Sequence, residues 1–198
     1  MNTSSNTIEM PEDDIVIDIE TMGTGADCVI VSIGAIIFNR AHAPGVFKHV
    51  FDVKLDVENQ PGRTVDPGTM LWWMKKSMED ARKAAFTTME PRIRLGLALK
   101  QLDDFIKLHR PNEAWGCSPS FDMVILQDAY KQHKVDFPIP FWRWSCIRTM
   151  ESFFYGKNTR KPGGDNWLEG TAHDALDDCK MEAMVIQKCY MAATKVAM

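Results

Sequence analysis

Basic residues are the minority charge here. The 23 lysines and arginines face 27 aspartates and glutamates, leaving a net charge of −4. That shortage excludes a broad cationic groove for long duplex nucleic acid. Contact with nucleic acid would have to be local, at a strand end. Acidic groups that hold metal ions count as negative until the ions neutralise them, so the excess acid does not argue against such a role. Cysteine is scarce and scattered: Cys28, Cys117, Cys146, Cys179 and Cys189 are odd in number and form no C-x-x-C pair. A disulfide framework and a zinc knuckle are excluded, and reduced intracellular thiols are expected. Long apolar runs are missing too. The longest, Cys28 to Phe38, is interrupted by Ser32 and Gly34 and is too short to span a bilayer. Segment 1–12 is polar and lacks the basic-then-apolar layout of a signal peptide. Repeats, low-complexity stretches and interdomain linkers are absent, and a cytoplasmic protein without membrane contact is expected.

What is present suits one domain. A chain of 198 residues with 45% hydrophobic content can bury a substantial core. Residues 1–13 read as a disordered leader and 14–198 as a single domain. Asp14 to Glu20 alternates, with Ile15, Ile17 and Ile19 on one side and Val16, Asp18 and Glu20 on the other, which is a strand. Cys28–Asn39 and Val46–Asp56 are expected as two more strands, joined by a hairpin through Pro44 and Gly45. Asp66-Pro67 then looks like a cap and first turn of a helix over Thr69–Lys76, followed by a short helix from Ser77 to Phe86. A longer helix is expected from Pro91, striped by Ile93, Leu97, Leu102, Phe105, Ile106 and Leu108. A brief strand over Ala114–Cys117 precedes a helix over Phe121–His133 capped by Ser120. A last strand, Trp144–Ile147, leads to a helix ending near Phe154 or Tyr155. Residues 156–170 are dense in loop signals, and Thr171–Ala197 reads as a closing helix. The expected fold class is therefore α/β, one domain that opens with a three-stranded meander in the order βββ-α-β-α-β-α.

Three separated segments carry the chemistry. Asp18 and Glu20 are two apart on a strand and leave the same face. Two such carboxylates repel each other in a partly buried site, and a bound cation relieves the cost. Asp122 begins a helix inside an apolar run, where complementing the helix dipole would be the bland role. His173 and Asp178 lie about one and a half helical turns apart and can face one pocket if the helix begins near His173. Carboxylates suit hard divalent cations, and a histidine titrates near neutrality. Asp128, Asp174 and Asp177 are set aside as capping or solvated residues. His42, His49, His109 and His133 read as surface histidines.

The motifs D-I-E-T-M-G-T-G, S-P-S-F-D-M-V-I-L and H-D-A-L-D-D resemble, in order and spacing, the three exonuclease motifs of the DEDDh superfamily of 3′→5′ exonucleases. T-M-L-W-W-M-K-K-S-M-E-D-A-R-K-A-A-F and I-P-F-W-R-W-S-C-I-R-T are similar to the branch holding phage exonuclease A and mycobacterial-type exoribonucleases. The resemblance spans roughly residues 14–192. It implies a ribonuclease H-like fold, a mixed five-stranded sheet with a three-stranded antiparallel meander and then two parallel strands, flanked by helices. It also implies Asp18, Glu20, Asp122 and Asp178 binding two Mg²⁺ or Mn²⁺ ions, with His173 as general base. It further implies a single-stranded DNA or RNA 3′ end as substrate. For a phage-encoded chain the setting would be the host cytoplasm, and related enzymes include homodimers. Ser118 and Pro119 depart from the Asn or Gly usual in the second motif. An oligoribonuclease-like phosphodiesterase and an inactive nucleic-acid-binding module are the alternatives, and five intact positions speak against the second.

For the substrate, the resemblance points to the Thr21–Gly23 backbone and the Met22 side chain. Phe121, Trp72 and Trp73 offer aromatic faces that stack on bases without sequence preference. Core packing is the competing role, and at least one of the two tryptophans is expected to take it. Lys157, Arg160 and Lys161 place positive charge shortly before His173, for phosphate contact or simple solvation.

Overall fold

The structure, a computed structural model, describes residues 12–86, 91–155 and 171–196. The expected leader up to residue 11, and the loop with Lys157, Arg160 and Lys161, lie outside the described residues. Among the described residues no helix is long and apolar enough to cross a membrane.

Strands β1 (Asp14–Thr21), β2 (Ile30–Phe38) and β3 (Phe47–Lys54) form an antiparallel meander. The short strands β4 (Ala114–Gly116) and β5 (Trp144–Cys146) add in parallel to the far side of β1. The order β3-β2-β1-β4-β5 puts β1 at the centre. All nine residues of β2 are buried, as a near-continuous apolar strand covered on both faces must be.

Alternation along β1 divides the core. Ile15, Ile17 and Ile19 pack with helices α3 (Leu95–His109) and α4 (Asp122–Gln132), through Leu99, Leu102, Met123, Leu126 and Tyr130. Val16 faces the opposite way, against Ile147 of α5 (Ile147–Tyr155) and Cys179, Ala183 and Ile186 of α6 (Ala175–Val196). Asp18 and Glu20 share that second face. A third cluster joins Val31 to Trp73 of α1 (Pro67–Trp73) and to Ala81 and Ala85 of α2 (Glu79–Phe86).

Helix α6 is seated very close to the sheet. Gly34 is paired with Asp18 across β1 and β2. A Cβ on Gly34 would fall 2.5 Å from both the carbonyl carbon and oxygen of Ala175. Only glycine admits the start of α6 at this rung. Further along, the buried Gln187 amide bonds Gly45 N at 2.8 Å and Val46 O at 2.9 Å, tying α6 to the β2–β3 hairpin.

Local expectations differ from the structure at three helix starts. The helix expected from Pro91 begins at Leu95. Ile93 instead pairs with the end of β3, donating to Lys54 O at 3.1 Å and accepting from Asp56 N at 2.8 Å. Tertiary pairing there outweighs helical periodicity. Ser120 does not cap α4. Its hydroxyl bonds that of Ser118 at 2.9 Å, and Phe121 is the cap residue with no side-chain bond. The closing helix begins at Ala175, not Thr171, because His173 is left-handed at φ 64°. Asp66, by contrast, caps α1 as expected, accepting from Thr69 N at 2.7 Å with Pro67 in the first turn.

Gly34→Ala should destabilise the protein by about 1–3 kcal/mol, since a methyl group is forced into a filled backbone contact. Urea denaturation measures this. An unchanged midpoint would mean that α6 does not depend on the approach at Gly34.

Candidate active site

The site forms where the C-terminal half of β1 meets the starts of α4 and α6. Asp18 and Glu20 point from the central strand toward α6, not to solvent from an edge strand. Glu20 is buried at 8% exposure. Asp18 is partly exposed as a residue, yet its Oδ2 is sealed from solvent and has no hydrogen-bond partner. Cross-strand register extends this surface over the sheet: Glu20 lies opposite Ser32, and Ser32 opposite Lys54.

Asp122, the first residue of α4, is 3% exposed. It is not a solvated helix-dipole partner, because its Oδ1 accepts from Ile19 N, long at 3.4 Å, on the strand between the other two acids. The Ser118-Pro119 turn leads into it, with Phe121 N donating to Ser118 O at 2.7 Å.

His173 and Asp178 form a local unit. The left-handed backbone of His173 sends its N–H to Asp178 Oδ2 at 3.1 Å. Left-handed non-glycine residues carry a conformational cost, and histidine is among the types enriched there. Asp174 begins the helix, its Oδ1 accepting from Asp177 N at 3.2 Å, while its Oδ2 pairs with Lys54 at 2.8 Å. Capping, the role expected of Asp174, is observed. The edge of Trp72 meets the His173 ring at 4.9 Å between centroids.

Donor atoms of Glu20, His173 and Asp178 lie within 4.8 Å of one another. These oxygen-rich residues fit a hard divalent cation, and the charges of Glu20 and Asp178 act on the orphaned Asp18 carboxylate as well. Their ionisation shows the same strain. Burial, then the charges of Asp122, Glu182, Glu20 and Asp178, holds Asp18 well above the usual carboxylate range. Burial and Asp178 do the same to Glu20, partly opposed by Lys54. Asp122 is pushed up to about 7 by burial, against the Ile19 N–H. Asp178 rises to about 6, again by burial, against the His173 N–H.

The comparisons with known proteins decide the family. The model of the 3′-5′ exoribonuclease Rv2179c-like domain matches residues 13–190, nearly the whole chain. The chain belongs to this family. It is a 3′–5′ exonuclease, and its mixed five-stranded sheet has the ribonuclease H-like fold of solved DEDDh nucleases. An exodeoxyribonuclease of Enterobacteria phage T4 is 26% identical over 200 residues, covering 88% of this chain and 87% of that protein. The nuclease domain of 3′hExo, a DEDDh member solved bound to rAMP, superposes with a TM-score of 0.62 at 15% identity, over 91% of this chain and 92% of that one. Exonuclease I, a longer protein, superposes with a TM-score of 0.60 at 13% identity, over 93% of this chain and 44% of that one.

Within this exonuclease the substrate candidates separate. Trp73 is not available to a base. It is 2% exposed, packed with Val31 and Ala85, and its Nε1 donates to Thr21 O at 2.9 Å. Its place is the core, where it fixes the end of β1. Trp72 is half-buried beside His173. The Thr21–Gly23 turn uses much of its polarity internally: Met22 N donates to Val29 O at 2.9 Å, Asp66 N to Met22 O at 2.8 Å, and Thr21 Oγ1 to Gly23 O at 2.7 Å. Gly23 is needed because a Cβ there would sit 2.8 Å from that of Cys28. Met22 and Phe121 are partly buried against the core clusters.

Three charged residues at the site were not singled out from sequence. Glu182 is 5% exposed, on α6 four residues after Asp178; that helical spacing was its one visible signal. Lys54, 5% exposed, pairs with Asp174 and faces Glu20 only through the strand register. Arg148 carries positive charge toward Asp122 from the start of α5.

Carboxylates whose folded pKa is raised make the native state bind more protons than the unfolded chain. Stability then falls as pH rises from about 4 through the folded values near 6 and 7. Without metal, Tm should drop by about 3 °C or more between pH 5 and pH 7.5, and millimolar Mn²⁺ should restore more of it at pH 7.5 than at pH 5. Differential scanning fluorimetry measures both. A Tm that climbs over this range without metal would refute the crowded-carboxylate description.

Proposed function

We propose that this exonuclease removes nucleoside 5′-monophosphates one at a time from the 3′ end of single-stranded nucleic acid, by divalent-cation-assisted hydrolysis with His173 as general base. The convergence of Glu20, His173 and Asp178 within 4.8 Å carries this reading. Asp18, Glu20, Asp122 and Asp178 would hold two Mg²⁺ or Mn²⁺ ions, which when bound neutralise the scissile phosphate and acidify the attacking water. His173 takes the proton from that water as its oxygen forms the new bond to phosphorus and the bond to the 3′ oxygen breaks. Asp178 holds the His173 backbone in place through the N–H it accepts, and Trp72 braces the ring. Because β1 and α4 place the acids before substrate arrives, little reorganisation is needed at the moment of reaction.

The acidic net charge and the compact site favour a grip on a strand end. Trp72, Met22 and Phe121 remain the groups proposed to contact the terminal nucleotides. The family's name speaks of RNA and the phage relative's of DNA, so the substrate is assigned here as single-stranded nucleic acid of either sugar.

With Mn²⁺ present, the protein should shorten a 5′-labelled single strand from its 3′ end, with matched DNA and RNA strands run side by side on a sequencing gel. His173→Asn should lower the rate by about 10²–10⁴-fold with little change in Tm, since asparagine also tolerates the left-handed backbone. Asp18→Asn should be as inactive yet melt no lower without metal, because it neutralises a sealed, unpartnered oxygen. Full activity in both variants would sink the assignment. Consumption of short oligonucleotides alone would mark a dedicated short-oligonucleotide phosphodiesterase.

A further inference from the structure

We propose that Glu182 is a fifth carboxylate of the same site, acting on a divalent cation bound there, and that it tightens the binding of that cation. This rests on the metal-dependent reading above. Glu182 stands one helical turn beyond Asp178 on α6 and shares its face. It is 5% exposed, and its Oε2 is sealed from solvent with no hydrogen-bond partner. Cys179, Ala183 and Ile186, its neighbours on the helix, pack in the cluster that contains Val16, so this stretch of α6 is laid on β1. Cys179 Sγ approaches Val16 O at 3.9 Å, which sets the helix beside the strand residues leading to Asp18.

Burying a carboxylate with an unmade hydrogen bond is costly, because the group loses its water and gains no partner in return. A leucine or methionine in this place would pack among the same apolar neighbours without that cost. A purely architectural role therefore accounts poorly for glutamate here. The surroundings deepen the problem, because Asp122, Asp178 and Glu151 all bring negative charge toward it. Arg148 brings positive charge from α5, but its Nε is donated to Cys117 Sγ at 3.2 Å. The orphaned Asp18 Oδ2 is in the same position. The Glu182 charge acts on Asp18, and a hard divalent cation between them would satisfy both sealed oxygens, directly or through one water.

The test uses Mn²⁺ itself with no substrate. Free Mn²⁺ is titrated against the full chain at pH 7.5 and followed by electron paramagnetic resonance, for wild type, Glu182→Gln, Glu182→Met and Asp178→Asn. Glu182→Gln should weaken Mn²⁺ binding by about 10–100-fold, as loss of a supporting group in a metal site does. Glu182→Met should weaken it equally while raising the metal-free Tm, an outcome a merely structural residue would reverse. Mn²⁺ affinity within twofold of wild type in Glu182→Gln, alongside weak binding in Asp178→Asn, would overturn this inference and leave the proposed function standing. Absence of Mn²⁺ binding by the wild type would overturn both.

Discussion

The contact of α6 with the Asp18–Gly34 rung is the constraint on which the site depends. Gly34 lets the backbone of Ala175 come down onto the sheet. That approach shields much of the strand face bearing Asp18 and Glu20 from water and brings Asp178 and Glu182 over it. Carboxylates that would be solvated on an open sheet are thereby crowded in a poorly polarisable place, where like charges repel strongly. The acids lie together because apolar packing elsewhere on α6, through Cys179, Ala183, Ile186 and Cys189, holds the helix down. Hydrophobic burial supplies the force, and the acidic cluster stores part of it as electrostatic strain that a bound cation would relieve.

A second layer of interactions sets orientation rather than proximity. The left-handed turn at His173 reverses the chain just before α6 and lets one backbone N–H engage Asp178. Lys54 reaches across from β3 to Asp174, so the start of the helix is pinned to the sheet by a part-buried ion pair. Trp72 and Trp73, adjacent in sequence, divide their work: one meets the histidine, and the other seals the end of β1. This division follows from helical geometry, which sends neighbouring side chains in different directions.

Much of this was legible along the chain. Isoleucine alternation identified β1 and put Asp18 and Glu20 on one face, because the period of two is a local property of extended backbone. Hairpin signals and the change to helical periodicity after Asp66 foretold the meander and the helices that follow, while the mixed sheet was implied by the motif resemblance. Helix starts were read less well. Ile93 sits in a helical stripe by sequence but is drawn into pairing with β3, and Ser120 bonds its neighbour instead of capping α4. In both, a partner outside the local window won.

By itself, the sequence singled out the residues proposed to react and the face of β1 that Asp18 and Glu20 leave, since alternation and motif spacing are local. Tertiary structure alone decided which other charges join them. Asp122 reaches Ile19 across 103 residues, Lys54 faces Glu20 through two strand registers, and Glu182 is enclosed only when α6 lies on the sheet. Neither strand register nor helix seating is written in any short segment, because each is fixed by the packing of the whole core. The same packing withdrew Trp73 from the substrate and gave it to the fold.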